Sequence, residues 1–121
     1  MKKLNTYLFL FCLPLLISYG CSKSDSSIGM PQLYVPTAFT PNGDHINDIF
    51  IIKSPLKLSY YHISIYESDN ILVYQSDNIN LGWDGTNKGQ PEPSGSYLWI
   101  INCQTEGSKV YTSSGYVELI R

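Results

Sequence analysis

Charge is scarce in this sequence. Charged residues make up 15% of the 121, and 8 Lys and Arg against 10 Asp and Glu leave a net charge of −2. With no basic run or patch, the chain lacks the electrostatic footprint of a nucleic-acid binder. Cysteine is rarer still, at Cys12, Cys21 and Cys103. The first two fall in or at the end of an N-terminal leader, so Cys103 has no partner for an intramolecular disulfide. His45 and His62 are the only imidazoles, and neither stands in a recognisable spacing with a nucleophile and an acid, so catalysis is not expected. Amphipathic helical periodicity is missing as well.

The one long apolar run, residues 4–17, is interrupted by Pro14 and too short to span a bilayer comfortably. Behind Lys2 and Lys3 it reads as an export signal. Gly20 precedes Cys21, and a Ser/Lys/Asp stretch follows. This resembles a bacterial lipoprotein signal cleaved before Cys21, although Ser18 stands where such signals usually carry Leu. The expected organisation is a signal peptide over 1–20, a flexible tether over 21–31 and one folded domain over 32–121. Lipidation of Cys21 would anchor that domain to a membrane, and ordinary cleavage is the alternative.

What the folded part has is turn chemistry and tyrosine. Ten Tyr residues and 13% aromatics suit a small β domain. A polar loop, Thr40-Pro-Asn-Gly-Asp-His-Ile-Asn-Asp-Ile-Phe50, lies between two apolar runs. Pro41 fixes φ, Gly43 permits a positive φ, and Asn42, Asp44, Asn47 and Asp48 can bond nearby backbone N–H groups. A second knot, Gly82-Trp83-Asp84-Gly85-Thr86, is followed by a Pro/Ser/Gly corner over 91–95.

Strand patterns fill the intervals. Residues 33–39 are extended, with Pro36 making an edge strand or a break. Residues 48–53 read as a short buried strand. Tyr61, Ile63 and Ile65 alternate with His62, Ser64 and Tyr66, which points His62 outward. With the turn at 67–70 and the apolar run at 71–75, residues 60–75 form a hairpin. Residues 95–104 and 110–121 give two more strands, with Gly115 as a bulge. About six or seven short strands predict an all-β, immunoglobulin-like antiparallel β-sandwich. Cys103, in an apolar run, reads as a buried inert thiol.

Five motifs occur in one order: Val35-Pro-Thr-Ala-Phe-Thr-Pro-Asn-Gly-Asp-His-Ile-Asn-Asp-Ile-Phe50, Ile63-Ser-Ile-Tyr66, Gly82-Trp-Asp-Gly-Thr-Asn-Lys-Gly89, Pro93-Ser-Gly-Ser-Tyr97 and Gly115-Tyr-Val-Glu-Leu-Ile-Arg121. Together they resemble the gliding motility-associated C-terminal domain, the type B sorting domain of the type IX secretion system. The resemblance implies a β-sandwich that docks on the outer-membrane secretion machinery and directs export or surface attachment. His45 replaces the family's usual glycine, and Glu67-Ser-Asp-Asn70 replaces its Asn-Arg-Trp-Gly turn. The family domain normally ends a long cargo protein, whereas only a leader and a tether precede it here.

The residues leave several alternatives open. Asn42, Asp44, Asn47 and Asp48 offer oxygen ligands to a calcium ion, or they satisfy loop backbone groups. No other cofactor and no small-molecule substrate is implied. Trp83 and Asp84 either close one end of the sandwich or meet a partner. Leu119, Ile120 and Arg121 end a strand whose backbone, over 117–121, could pair with a partner. Against a sorting role stands a small surface lipoprotein with an adhesive or carbohydrate-binding face built on Tyr60, Tyr61, Tyr66, Tyr74 and Trp99, or a truncated remnant of a longer secreted protein. The expected location is outside the cytoplasm, at the outer membrane or cell surface by a lipid anchor, or in the medium.

Overall fold

The computed structural model describes residues 31–121. The signal peptide drawn over 1–20, Cys21 and the tether up to residue 30 lie outside the described residues. Seven strands occur among those described: β1 (Ala38–Phe39), β2 (Leu58–Tyr66), β3 (Leu72–Ser76), β4 (Thr86–Asn87), β5 (Gln90–Pro91), β6 (Gly95–Thr105) and β7 (Tyr111–Leu119). Five form one sheet in the order β1-β7-β6-β2-β3, and β4 and β5 pair as a separate ribbon. The fold is all-β and sandwich-like.

Period-two alternation builds the main sheet. Tyr61, Ile63 and Ile65 of β2, Tyr97, Trp99, Ile101 and Cys103 of β6, and Val117 and Leu119 of β7 all turn to one face and are buried. Phe39, Phe50, Ile52 and Trp83 cover that face and complete a single core. Burying each such aliphatic or aromatic side chain contributes about 1.5–3 kcal/mol, so the fully buried set carries the domain. β6 and β7 pair without interruption from Gly95↔Leu119 to Cys103↔Tyr111. The β2–β3 hairpin also forms, closed by the Asn70 N–H on the Glu67 carbonyl at 3.0 Å. Its register shifts between Ile65 and Tyr66.

Three local expectations change. Gly115 is no bulge, because the β6–β7 register runs through it unbroken. It is needed for space: a Cβ there would come within 2.5 Å of the Trp99 ring. Residues 48–53 form no strand, only the bridges Phe50↔Trp83 and Tyr34↔Lys53. Phe50 and Ile52 still point inward, so the apolar pattern reported burial while the backbone found loops rather than a ladder for partners. Finally, the sheet is not wholly antiparallel, since β1 pairs parallel with β7 at Ala38↔Glu118 and Phe39↔Leu119.

Pro36 explains the shortness of β1. Lacking an N–H, it cannot continue a ladder. Tyr34, two residues earlier, exchanges hydrogen bonds with Lys53 instead, at 2.8 and 3.1 Å.

Candidate functional site: the loop end and the last strand

The polar loops and the end of β7 meet at one end of the sandwich. In the first loop, Asp48 gathers the backbone. Its Oδ1 accepts from the Asn42 and Gly43 N–H groups at 3.0 and 2.9 Å, and its Oδ2 from the His45 N–H at 2.7 Å. Desolvation works to raise the Asp48 carboxyl, but these bonds, with the nearby His45, outweigh it and hold the carboxyl below its ordinary value. Asn42 and Asp44 accept from the N–H groups two residues on, at 3.1 and 2.9 Å. The Asn47 carbonyl accepts from the Thr40 N–H at 2.7 Å. Side-chain oxygens of Asn42, Asp44 and Asp48 are therefore aimed at donors of their own loop, and Asn47 contributes its backbone carbonyl. No group of three or more His, Cys, Asp or Glu side chains that could hold a metal occurs among the described residues.

His45 and Asn47 sit at φ of 65° and 52°. A left-handed backbone favours glycine, so both residues hold a conformation that an L side chain rarely adopts.

Trp83 is the plug. It is 0% exposed, packs tilted against Phe39 and edge-on against Tyr97 with ring centroids 5.4 and 4.9 Å away, and donates from Nε1 to the Thr86 carbonyl at 2.8 Å. Asp84 Oδ1 accepts from the Thr86 N–H and hydroxyl at 3.0 and 2.7 Å. The Tyr97 hydroxyl donates to the Pro93 carbonyl at 2.6 Å and ties the next corner down.

Leu119-Ile120-Arg121 closes this end. Leu119 is buried in the core. Arg121 donates from its backbone N–H to Ser94 Oγ at 2.9 Å, from Nε to the Glu92 carbonyl at 2.8 Å and from Nη2 to the Gly85 carbonyl at 2.8 Å. Gly85, at φ +80, is where the motifs converge: a Cβ there would lie 3.0 Å from Leu119 Cδ1, 3.1 Å from Arg121 Nη2 and 3.2 Å from Pro41 Cγ. Ile120, at 51%, and Arg121 are exposed, whereas Leu119 is not.

This geometry corrects the expected free backbone over 117–121. The Glu118 N–H donates to the Thr37 carbonyl at 2.9 Å and the Ile120 N–H to the Phe39 carbonyl at 3.0 Å, so β1 already occupies that stretch. The aromatic set proposed for sugar stacking also divides. Tyr61 and Trp99 are buried inward and Tyr74 packs against the core, while Tyr60 and Tyr66 belong to the opposite face. They form no common platform.

One constellation was invisible in the sequence. His62, on the outward face of β2, places Nδ1 2.5 Å from Asp77 Oδ1 and Nε2 3.1 Å from Ser64 Oγ. The order is that of a nucleophile relay, but its setting is not. Ser64 is buried in mid-sheet and pairs with Ile100 on one side and Gln75 on the other, so the ladder occupies the backbone N–H groups that could stabilise an oxyanion. The three side chains satisfy one another as a surface network. Cys103 is buried as expected, and burial pushes its thiol up, away from the reactive thiolate.

The profile of the CHU_C type IX secretion signal domain matches residues 33–119. Among solved structures, CopC from Methylosinus trichosporium OB3b is similar at 15% identity and a TM-score of 0.47, covering 71% of this chain and 84% of that one. No curated protein gives a significant match.

Proposed function

The chain belongs to the type IX secretion signal domain family, and from that premise we propose that it is a non-enzymatic sorting domain of type B that docks on the outer-membrane secretion machinery. The family is one of secretion signals rather than enzymes, and its members are destined for export to the cell surface or the medium. The observation that carries the reading is the match over residues 33–119, most of the folded part. The motif residues from Pro41 to Leu119, with Arg121 just beyond the match, support it by tying loops and β7 into one rigid end. Binding is then the whole of its biochemistry. Lipidation at Cys21 would add an anchor and hold the exported domain at the membrane.

The test fuses residues 30–121 behind a reporter with an ordinary cleavable export signal, in a gliding host with and without its secretion channel. Channel-dependent appearance of the reporter outside the cell is expected. Retention in the periplasm in both hosts overturns the sorting role. Replacing Cys21 by Ala in the full chain should release it from the membrane fraction if the anchor is lipid.

A further inference from the structure

Among the described residues, β7 is paired on its outer side only at its end. Strand alternation sends the N–H and C=O groups of Glu118 and Ile120 towards β1, so the same period sends those of Thr112, Ser114 and Tyr116 to that side too. Among the described residues no strand pairs with β7 there. The register of β1 shows what is missing. Extended straight back from Ala38↔Glu118, the chain would lay Pro36 opposite Tyr116 and Tyr34 opposite Ser114. Instead it leaves at Pro36 for Lys53. Among the described residues, no strand continues the lane that β1 begins alongside residues 112–116.

Nothing in the sequence guards this edge. Exposed edges are usually blunted by lysine, proline or a bulge. Residues 112–116 are Thr, Ser, Ser, Gly and Tyr, and their register is unbroken. The opposite edge differs: β3 is short, its pairing with β2 is bulged, and residues 84–88 line a cleft against it. Tyr116, 66% exposed, stands at the lip of that lane, beside Leu98 across the sheet.

We propose that residues 112–116 of β7 are a strand-addition site for an extended, uncharged segment of the secretion machinery, which completes the lane that β1 starts and sets an apolar side chain against Tyr116. The chemistry follows from the groups displayed: donors and acceptors alternating at strand spacing along an edge match an extended backbone. This rests on the sorting reading above and locates its docking surface.

The experiment expresses the full chain in a gliding host, with and without the channel, and measures surface display by antibody labelling of whole cells. Three variants separate backbone from side chain. Ser114→Pro removes an outward N–H at an edge position that tolerates proline. Ser114→Lys keeps the N–H and adds an edge charge, and Ser114→Thr keeps both N–H and neutrality. Channel-dependent display of the wild type, loss of about tenfold or more in the Pro and Lys variants, and retention in the Thr variant are expected. Melting curves of the purified variants report folding; if the proline variant melts early, the lysine variant decides. Wild-type failure to reach the surface overturns the sorting reading and this site with it. Display of the wild type together with undiminished display of both the Pro and Lys variants overturns this site alone. A dimer of the purified chain that Ser114→Pro dissociates also overturns it, because a second copy would then fill the lane.

Discussion

The loop end and the edge of β7 treat polar groups in opposite ways. At the loop end Asp48, Asp84, Arg121 and the Trp83 indole N–H all turn to the chain's own backbone. Along residues 112–116 alternate peptide groups face away from β6, with no strand on that side among the described residues. The residues that make the chain recognisable therefore hold it together, and the surface best suited to a partner is made of peptide groups that any small uncharged sequence could supply. The motifs and the proposed binding edge overlap only at Gly115 and Tyr116.

Substitutions can separate the two regions. The largest effect belongs to the loop end. Trp83→Ala empties the centre of the covering layer and should cost about 3–5 kcal/mol, read as a fall in the urea midpoint; a loss under about 1 kcal/mol would mean the plug is dispensable. Surface display should fall with stability, unlike Ser114→Pro, where display falls while the melt holds.

Gly85→Ala comes next. The new methyl would crowd Leu119, Arg121 and Pro41 in a left-handed backbone, and a cost of about 1–3 kcal/mol is expected. Combining it with Arg121→Ala should cost less than the sum of the two single changes, because both loosen the same contact.

The smallest effect concerns pH. The Asp48 carboxyl is held below its ordinary value in the folded chain, so its contribution is full above the unfolded pKa and is lost as pH falls through the folded one. Thermal midpoints of the wild type should decline as pH drops below about 4. Asp48→Asn should lower the midpoint at neutral pH and flatten that decline. An unchanged acid slope would show that the three N–H bonds do not favour the ionised form.

The long strands were legible in the sequence because alternation is written residue by residue. β2, β3, β6 and β7 fall close to where Tyr61, Val73, Trp99 and Val117 alternate with their outward neighbours. The break at Pro36 was legible for the same local reason. The covering layer was not: Phe50 and Ile52 are buried, yet whether their backbone pairs depends on distant loops. The His62–Asp77 contact depends on the register of a hairpin, and the Arg121 staple on loops of different origin. For the loop end, backbone bonding by Asn42, Asp44 and Asp48 and an end plug at Trp83 were among the readings the sequence offered, whereas the bonds from Arg121 to Gly85 and Glu92 were not. Of the open edge only Gly115 and Tyr116 fell within a motif, and neither signalled an unpaired backbone.

The parallel pair of β1 and β7 has a consequence for how the chain is threaded. It joins segments separated by on the order of eighty residues, so a large loop must close before β1 has anything to bond. The covering residues next to β1 in sequence, Phe39 and Phe50, find their core only against β2, β6 and β7. Until that last strand arrives, the upstream half has local turns and no partner for its apolar face. Such a topology, with its first strand waiting for its last, folds late and slowly for its length.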